Sequence, residues 1–271
     1  MSTGFSWTDA ALPARRFPPP DLVATLHREY RLLTRNRTNL LLAVIPSAVY
    51  LLLFATSLSH LVGTVSYAHR AVGYPEFSVP AVLISSMLAA ATTAGTSLFQ
   101  ERMGRMDVEL WSYRLRRGSY VAGKLIAGTA LVLLQSLAAL AVAEAVFGLG
   151  WPATHWLALL CAIVVTSVAF NGLYLLLASR FSDFQRFTVT INILAPVLLF
   201  ASPSFYPAAL MSPPLRWLSW ADPVTYGIRC LRDAALLGFA GAWPWLLGLT
   251  AVSVATCLLI GRSLLARAAE V

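Results

Sequence analysis

The sequence predicts an all-α integral membrane protein with six transmembrane helices. Of its 271 residues, 58% are apolar and 12% charged, and the mean hydropathy is +0.70. A soluble domain is about half apolar and about a quarter charged. Six runs also reach the roughly 20 mostly apolar residues that a helix needs to cross a bilayer. They are residues 39–59, 79–99, 125–147, 156–178, 187–206 and 243–261. Together these features exclude a soluble enzyme, a disordered chain and a disulfide scaffold. Cys161, Cys230 and Cys257 show no paired spacing and read as small hydrophobes.

Residues 1–19, rich in Pro and Ala, read as a disordered tail. Residues 20–38 read as an amphipathic helix in the membrane interface, the alternative being a solvated lead-in. Leu22, Leu26, Tyr30 and Leu33 share one face, and Arg28, Arg31 and Arg35 the other. Glu29 falls close to the apolar stripe and spoils the pattern. Residues 39–271 then form one six-span domain. The first apolar run starts too late, and runs too long, for the core of a signal peptide. Pro46 and Pro196 lie inside spans, where neighbouring helices satisfy the freed carbonyls.

Sixteen of the twenty Lys and Arg residues fall in segments 1–38, 100–124, 179–186 and 262–271. Segments 60–78, 148–155 and 207–242 hold the other four. This skew places both termini in the cytoplasm. The formal charge of +8 is thereby read as topology, not as nucleic-acid binding.

Residues 100–124 are longer than a plain helix connection needs. Acids and aromatics are interleaved among the arginines there, and Met106, Leu110 and Tyr113 recur at helical spacing, so a short helix is expected. Beyond the fifth span, Pro213, Pro214 and Pro223 divide the outer segment into two short apolar pieces, 215–221 and 224–237. A half-inserted, re-entrant helix pair fits them, with Arg229, Arg232 and Asp233 on its polar side.

Several chemistries lack their residues. His27, His60, His69 and His155 all lie outside the spans or at their edges, so no span offers a histidine beside a serine. No His-Glu-x-x-His motif occurs, and no metal site is expected. Residues 118–124, Gly-Ser-Tyr-Val-Ala-Gly-Lys, have the glycine and lysine spacing of a phosphate-binding loop. Leu125, however, stands where Ser or Thr must hold magnesium, and no strand precedes. Energy for active transport must then come from another subunit. Glu144 is the one ionisable residue clearly within a span. It lies about 30 Å along its helix from Lys124, at the hydrocarbon edge. That position suits an interfacial or packing carboxylate, the alternative being a substrate or proton site. Asn171 and Asn192 sit deeper, as helix-to-helix bonds or as cavity lining.

The local patterns resemble a known family. Glu101-Arg102 followed by Gly104, then Glu109-Leu110 and a basic cluster ending in Gly123-Lys124, is similar to the loop after span two in permease subunits of type 2 ABC exporters. Residues 202–207, then Ala221-Asp222-Pro223-Val224-Thr225-Tyr226 with Leu231-Arg232, are similar to that family's outer signature. The likeness runs from Pro20 through nearly the whole chain. It is strongest with the drug and lipo-oligosaccharide exporter branch, whose ATPase is a separate chain. Departures are Asp222 where Asn is usual, Pro203 near a usual Gly, and Ser112-Tyr113 where Ser-Pro or Thr-Pro is usual.

The resemblance implies a permease that is half of a dimeric unit in the cell membrane, working with ABC ATP-binding subunits. This chain would bind no cofactor, and ATP and Mg would belong to the partner. Glu101, Arg102, Asp107 and Glu109 would then contact the ATPase, with Glu29 and Arg31 as further contacts. Ser85, Thr92, Thr96, Asn171 and Asn192 would face the cargo path at the dimer seam. Asp222, Tyr226, Arg229 and Arg232 would belong to the outer re-entrant region. An ion-coupled or passive carrier is the competing class, and would need intramembrane charge that Glu144 alone supplies poorly.

Overall fold

The computed structural model describes residues 20–35, 62–104 and 117–266, with single positions 45, 49, 51 and 57 besides. Among these residues run α1 (Pro20–Arg35), the hairpin β1 (Thr64–Tyr67) and β2 (Arg70–Gly73), α2 (Tyr74–Met103), α3 (Arg117–Phe147) and α4 (Ala153–Arg180). Then come α5 (Phe184–Ala201), a 3-10 turn (Ala208–Leu210), α6 (Pro213–Ala221), α7 (Pro223–Leu237) and α8 (Phe239–Ala266). Among the described residues, five helices are long and apolar enough to cross a membrane: Tyr74–Glu101, Gly118–Phe147, Ala153–Arg180, Phe184–Ala201 and Phe239–Ile260. The chain is a multi-pass, all-α membrane protein. The expected first span, apart from its single described positions, and the expected loop helix over 106–113 lie outside the described residues.

Helix limits depart from the hydropathy reading for local reasons. α3 begins at Arg117, well before residue 125, because Tyr120 and Lys124 find polar partners inside the fold. α5 stops at Ala201 and not at residue 206. Ser202 is extended, with φ −87° and ψ 157°, as a residue before proline tends to be. Asp183 opens the same helix, its carboxylate accepting from the Gln185 and Arg186 amides at 2.7 and 3.2 Å. The hairpin is an unanticipated element. Val65 pairs with Val72 and both are buried, while Ala68 and His69 turn the chain with φ of 48° and 62°.

α4 is the hub, packed against α2, α3, α7 and α8. Buried residues make up 72% of the spanning window of α2 and 61% of α4, but 17% of α5 and 22% of α8. The described residues therefore leave most of the apolar surface of the last two uncovered. Neither α6 nor α7 is long enough to cross a bilayer, at about 14 and 22 Å. At Gly227 in α7 an added Cβ would lie 2.8 Å from Phe170 and 2.9 Å from Ile84. At Gly238, just past its end, an added Cβ would lie 2.9 Å from His155, in the first turn of α4. α7 therefore rises from a level well inside α2 and α4 to the end of the bundle that carries the hairpin.

Candidate functional site

At the other end of the bundle, α1 lies across α3 and beside the end of α2. Gly123 makes that approach possible, since a Cβ there would stand 2.4 Å from Thr25 Cγ2. Around this crossing six charged or polar side chains form one cluster. The Arg28 guanidinium donates to Glu101 Oε1 at 2.8 Å and to Glu29 Oε1 at 3.1 Å. Lys124 Nζ donates to Glu101 at 3.1 Å, to Ser97 at 3.1 Å and to Glu29 at 3.4 Å. The Tyr120 hydroxyl donates to the second oxygen of Glu101. Glu29, Glu101 and Lys124 are all buried. Burial draws the Arg28 pKa down, but the Glu101 carboxylate more than offsets this and leaves it above the ordinary value.

The cluster places two of the expected ATPase contacts inside the chain. Glu101 and Glu29 both turn toward α3, and Glu29, the residue that spoils the amphipathic stripe, faces the bundle. Tyr30, expected on the apolar face, is exposed, as is Arg31. The side chain of Arg102, and residues Asp107 and Glu109, lie outside the described residues. Sequence reasoning missed Arg28, Tyr120 and Lys124 as partners. A signal existed, since Lys124 is the only lysine in a chain with nineteen arginines.

Between α2 and α5 runs an open cleft of about 470 Å³. Ser85, Thr92 and Asn192 supply its polar atoms, among Leu88, Leu199 and Phe200. The two hydroxyls donate to carbonyls of their own helix, Ser85 to Val82 at 2.7 Å and Thr92 to Leu88 at 2.9 Å. Each keeps lone pairs for a guest. Thr96 is half-buried one turn further along α2, outside the lining. Asn171 stands elsewhere. It is buried in α4, donates to Ser167 at 3.1 Å and faces Gly128 of α3, so it packs two helices of one chain together.

At the hairpin end, Arg232 is fully buried and does not line a polar surface. Its guanidinium donates to the carbonyls of Ser204, Pro203 and Phe77 at 2.6, 2.9 and 3.3 Å, and sits 3.7 Å from the Phe77 ring centre. Burial lowers its pKa to about 10. Asp233 accepts from the Tyr67 hydroxyl at 2.5 Å and the Trp245 indole at 2.8 Å. Burial raises the pKa of both Asp233 and Tyr67. Asp222 caps α7, accepting from the Val224 amide at 2.8 Å, and burial lifts its carboxyl to about 6. Tyr226 donates back to the Trp220 carbonyl at 2.7 Å, and Arg229 lies over the Trp245 ring. Glu144, exposed at the end of α3, accepts from the Leu149 amide at 3.2 Å.

A family model described as ABC-2 type transporter matches residues 20–236, from α1 to the end of α7. No curated protein matches the chain.

Proposed function

Because the chain belongs to the ABC-2 type transporter family, we propose that it is the permease of an ATP-driven exporter, one half of a dimeric path driven by separate ATP-binding subunits. Both termini lie in the cytoplasm in this reading. ATP and magnesium act in the partner, and nothing in this chain hydrolyses nucleotide. The cargo is an amphipathic drug-like molecule, a glycolipid or a lipid-linked glycan, as in the drug and lipo-oligosaccharide exporter branch. The mostly apolar cleft with a few polar atoms suits such molecules.

The observation that carries the mechanical part is the buried ion cluster. It ties α1, α2 and α3 together near Met103 and Arg117, the two helix ends that flank residues 105–116 in sequence. A push on that segment by an ATPase is therefore delivered to α2, which lines the cleft, and to α1 together. Asp107 and Glu109, with Arg102 and Arg31, make the outward contact, while Glu29 and Glu101 transmit it. Val189, Ile193, Val197 and Phe200 form an exposed stripe on α5, and Trp217 and Trp220 an exposed pair on α6. These surfaces, beside Ser85, Thr92 and Asn192, meet the second permease copy.

Purification of the chain from its native membrane, with identification of the co-purifying chains, tests the reading. An ABC ATPase in equal number with the permease is the expected result. Export by reconstituted permease with no ATPase would overturn it in favour of a carrier. Replacing Asp107 and Glu109 together by Ala should weaken ATPase capture by about 2–5 kcal/mol, as for one half of a desolvated charge pair. A solvated loop residue would cost under about 1 kcal/mol.

A further inference from the structure

A second cavity, of about 340 Å³, lies between α4, the start of α7 and the first half of α8. Phe170, Leu173, Tyr226, Trp245, Leu249 and Val252 make most of its almost wholly apolar wall. Gly248 opens it, since a Cβ added there would meet nothing within 4 Å. Along α8 the lining runs from Pro244 to Val252, about 8 to 20 Å from the start of the helix. One leaflet of hydrocarbon is about 15 Å deep, half of a core of about 30 Å. The groove, about 12 Å long, thus lies mostly within the leaflet on the hairpin side and shares its polarity.

A cation stands at its upper rim. Arg229 is three residues beyond Tyr226 on α7, and its guanidinium lies 5.4 Å from the Trp245 ring centre. It is half-exposed and, among the described residues, makes no ion pair. The nearby Asp233 has both oxygens engaged, by Tyr67 and by Trp245. Contact with the ring face holds Arg229 over the mouth of the groove, where a freely snorkelling side chain would wander off.

We infer that this groove binds one acyl chain of an anionic phospholipid from the leaflet on the hairpin side, with the lipid phosphate on Arg229. The apolar wall accounts for the chain, and the guanidinium at its rim, which makes no ion pair among the described residues, selects a headgroup of net negative charge. The site is separate from the cleft between α2 and α5, and its occupancy depends on neither an ATPase nor a cargo.

The test uses the full-length chain in neutral detergent, offered phosphatidylglycerol or phosphatidylcholine of equal chain length, with bound lipid counted by native mass spectrometry. Phosphatidylglycerol should be retained about fivefold better, the advantage one arginine gives near an anionic headgroup layer. Arg229→Gln should abolish that preference and leave phosphatidylcholine retention unchanged. Gly248→Phe, which fills the groove, should reduce retention of both lipids. Equal retention of the two lipids by the unmodified chain would overturn the inference. So would phosphatidylglycerol retention that survives both substitutions, or displacement of the lipid by inorganic phosphate alone.

Discussion

Lys124 shows how one residue carries two readings. In sequence it ends a glycine-flanked run that imitates a phosphate-binding loop, but in the fold that run is helix and the ammonium lies buried between Glu29 and Glu101. Removing it leaves two carboxylates sharing Arg28. Lys124→Met should therefore destabilise the chain by about 3–5 kcal/mol, the cost of breaking a buried pair, measured as thermal unfolding in detergent. Nucleotide affinity of the assembled transporter should not change. Asp222 makes the opposite case. Its carboxyl, raised from 3.8 to about 6, holds a proton more tightly folded than unfolded. Stability should accordingly fall as pH rises between those values and stay reduced above them. Asn keeps the capping oxygen without the charge, so Asp222→Asn should flatten that slope. At neutral pH it should raise the melting temperature by about 2–4 °C, the shift that ~1 kcal/mol gives in a chain of this size. Glu144→Gln keeps an acceptor for the Leu149 amide. Export that survives it with an unchanged pH profile would remove a proton-coupled carrier, whereas lost export with normal folding would restore one.

Among the elements, α1 depends on a missing side chain. Gly123→Val would bring a Cβ to 2.4 Å from Thr25 Cγ2 and 3.0 Å from Thr25 Cβ, so α1 would have to lift away from α3. The chain should still insert, while amide exchange along α1 speeds up and ATP-driven export falls; unchanged exchange in α1 would show that the helix docks elsewhere. The helices were legible from their long apolar runs, and the α6–α7 break from Pro213, Pro214 and Pro223. The end of α5 could have been read from Ser202 before Pro203. The hairpin was not, because four-residue strands joined by Ala68-His69 lack the Asn-Gly type of turn that announces one. The ion cluster was half legible. Glu29 stood out as a fault in an amphipathic stripe and Lys124 as a lone lysine, but their partnership spans 95 positions and no local pattern encodes it. Asn171 carries no mark in sequence that separates a packing amide from a cleft-lining one.

For the molecule as a whole, the basic skew and the helix alternation make one joint prediction. A reporter fused to the amino-terminal tail should be active in the cytoplasm, and one placed in the hairpin turn at Ala68-His69 should be exposed outside. Reports from the same side would sink the six-span topology. The setting of Arg232 bears on how such a molecule is made. Its carbonyl partners come from Phe77, made 155 residues earlier, and from Pro203 and Ser204. In the proposed topology the first half of the protein therefore waits in the membrane with its hairpin end unfinished, until a cation made near the close of translation is carried across and seated. A ribosome that stops short of residue 232 leaves a chain with most of its spans and no keystone. Arg232→Ala should produce the same kind of product, inserted in the normal orientation yet short-lived in the cell, because membrane proteases meet a hairpin end that never closes.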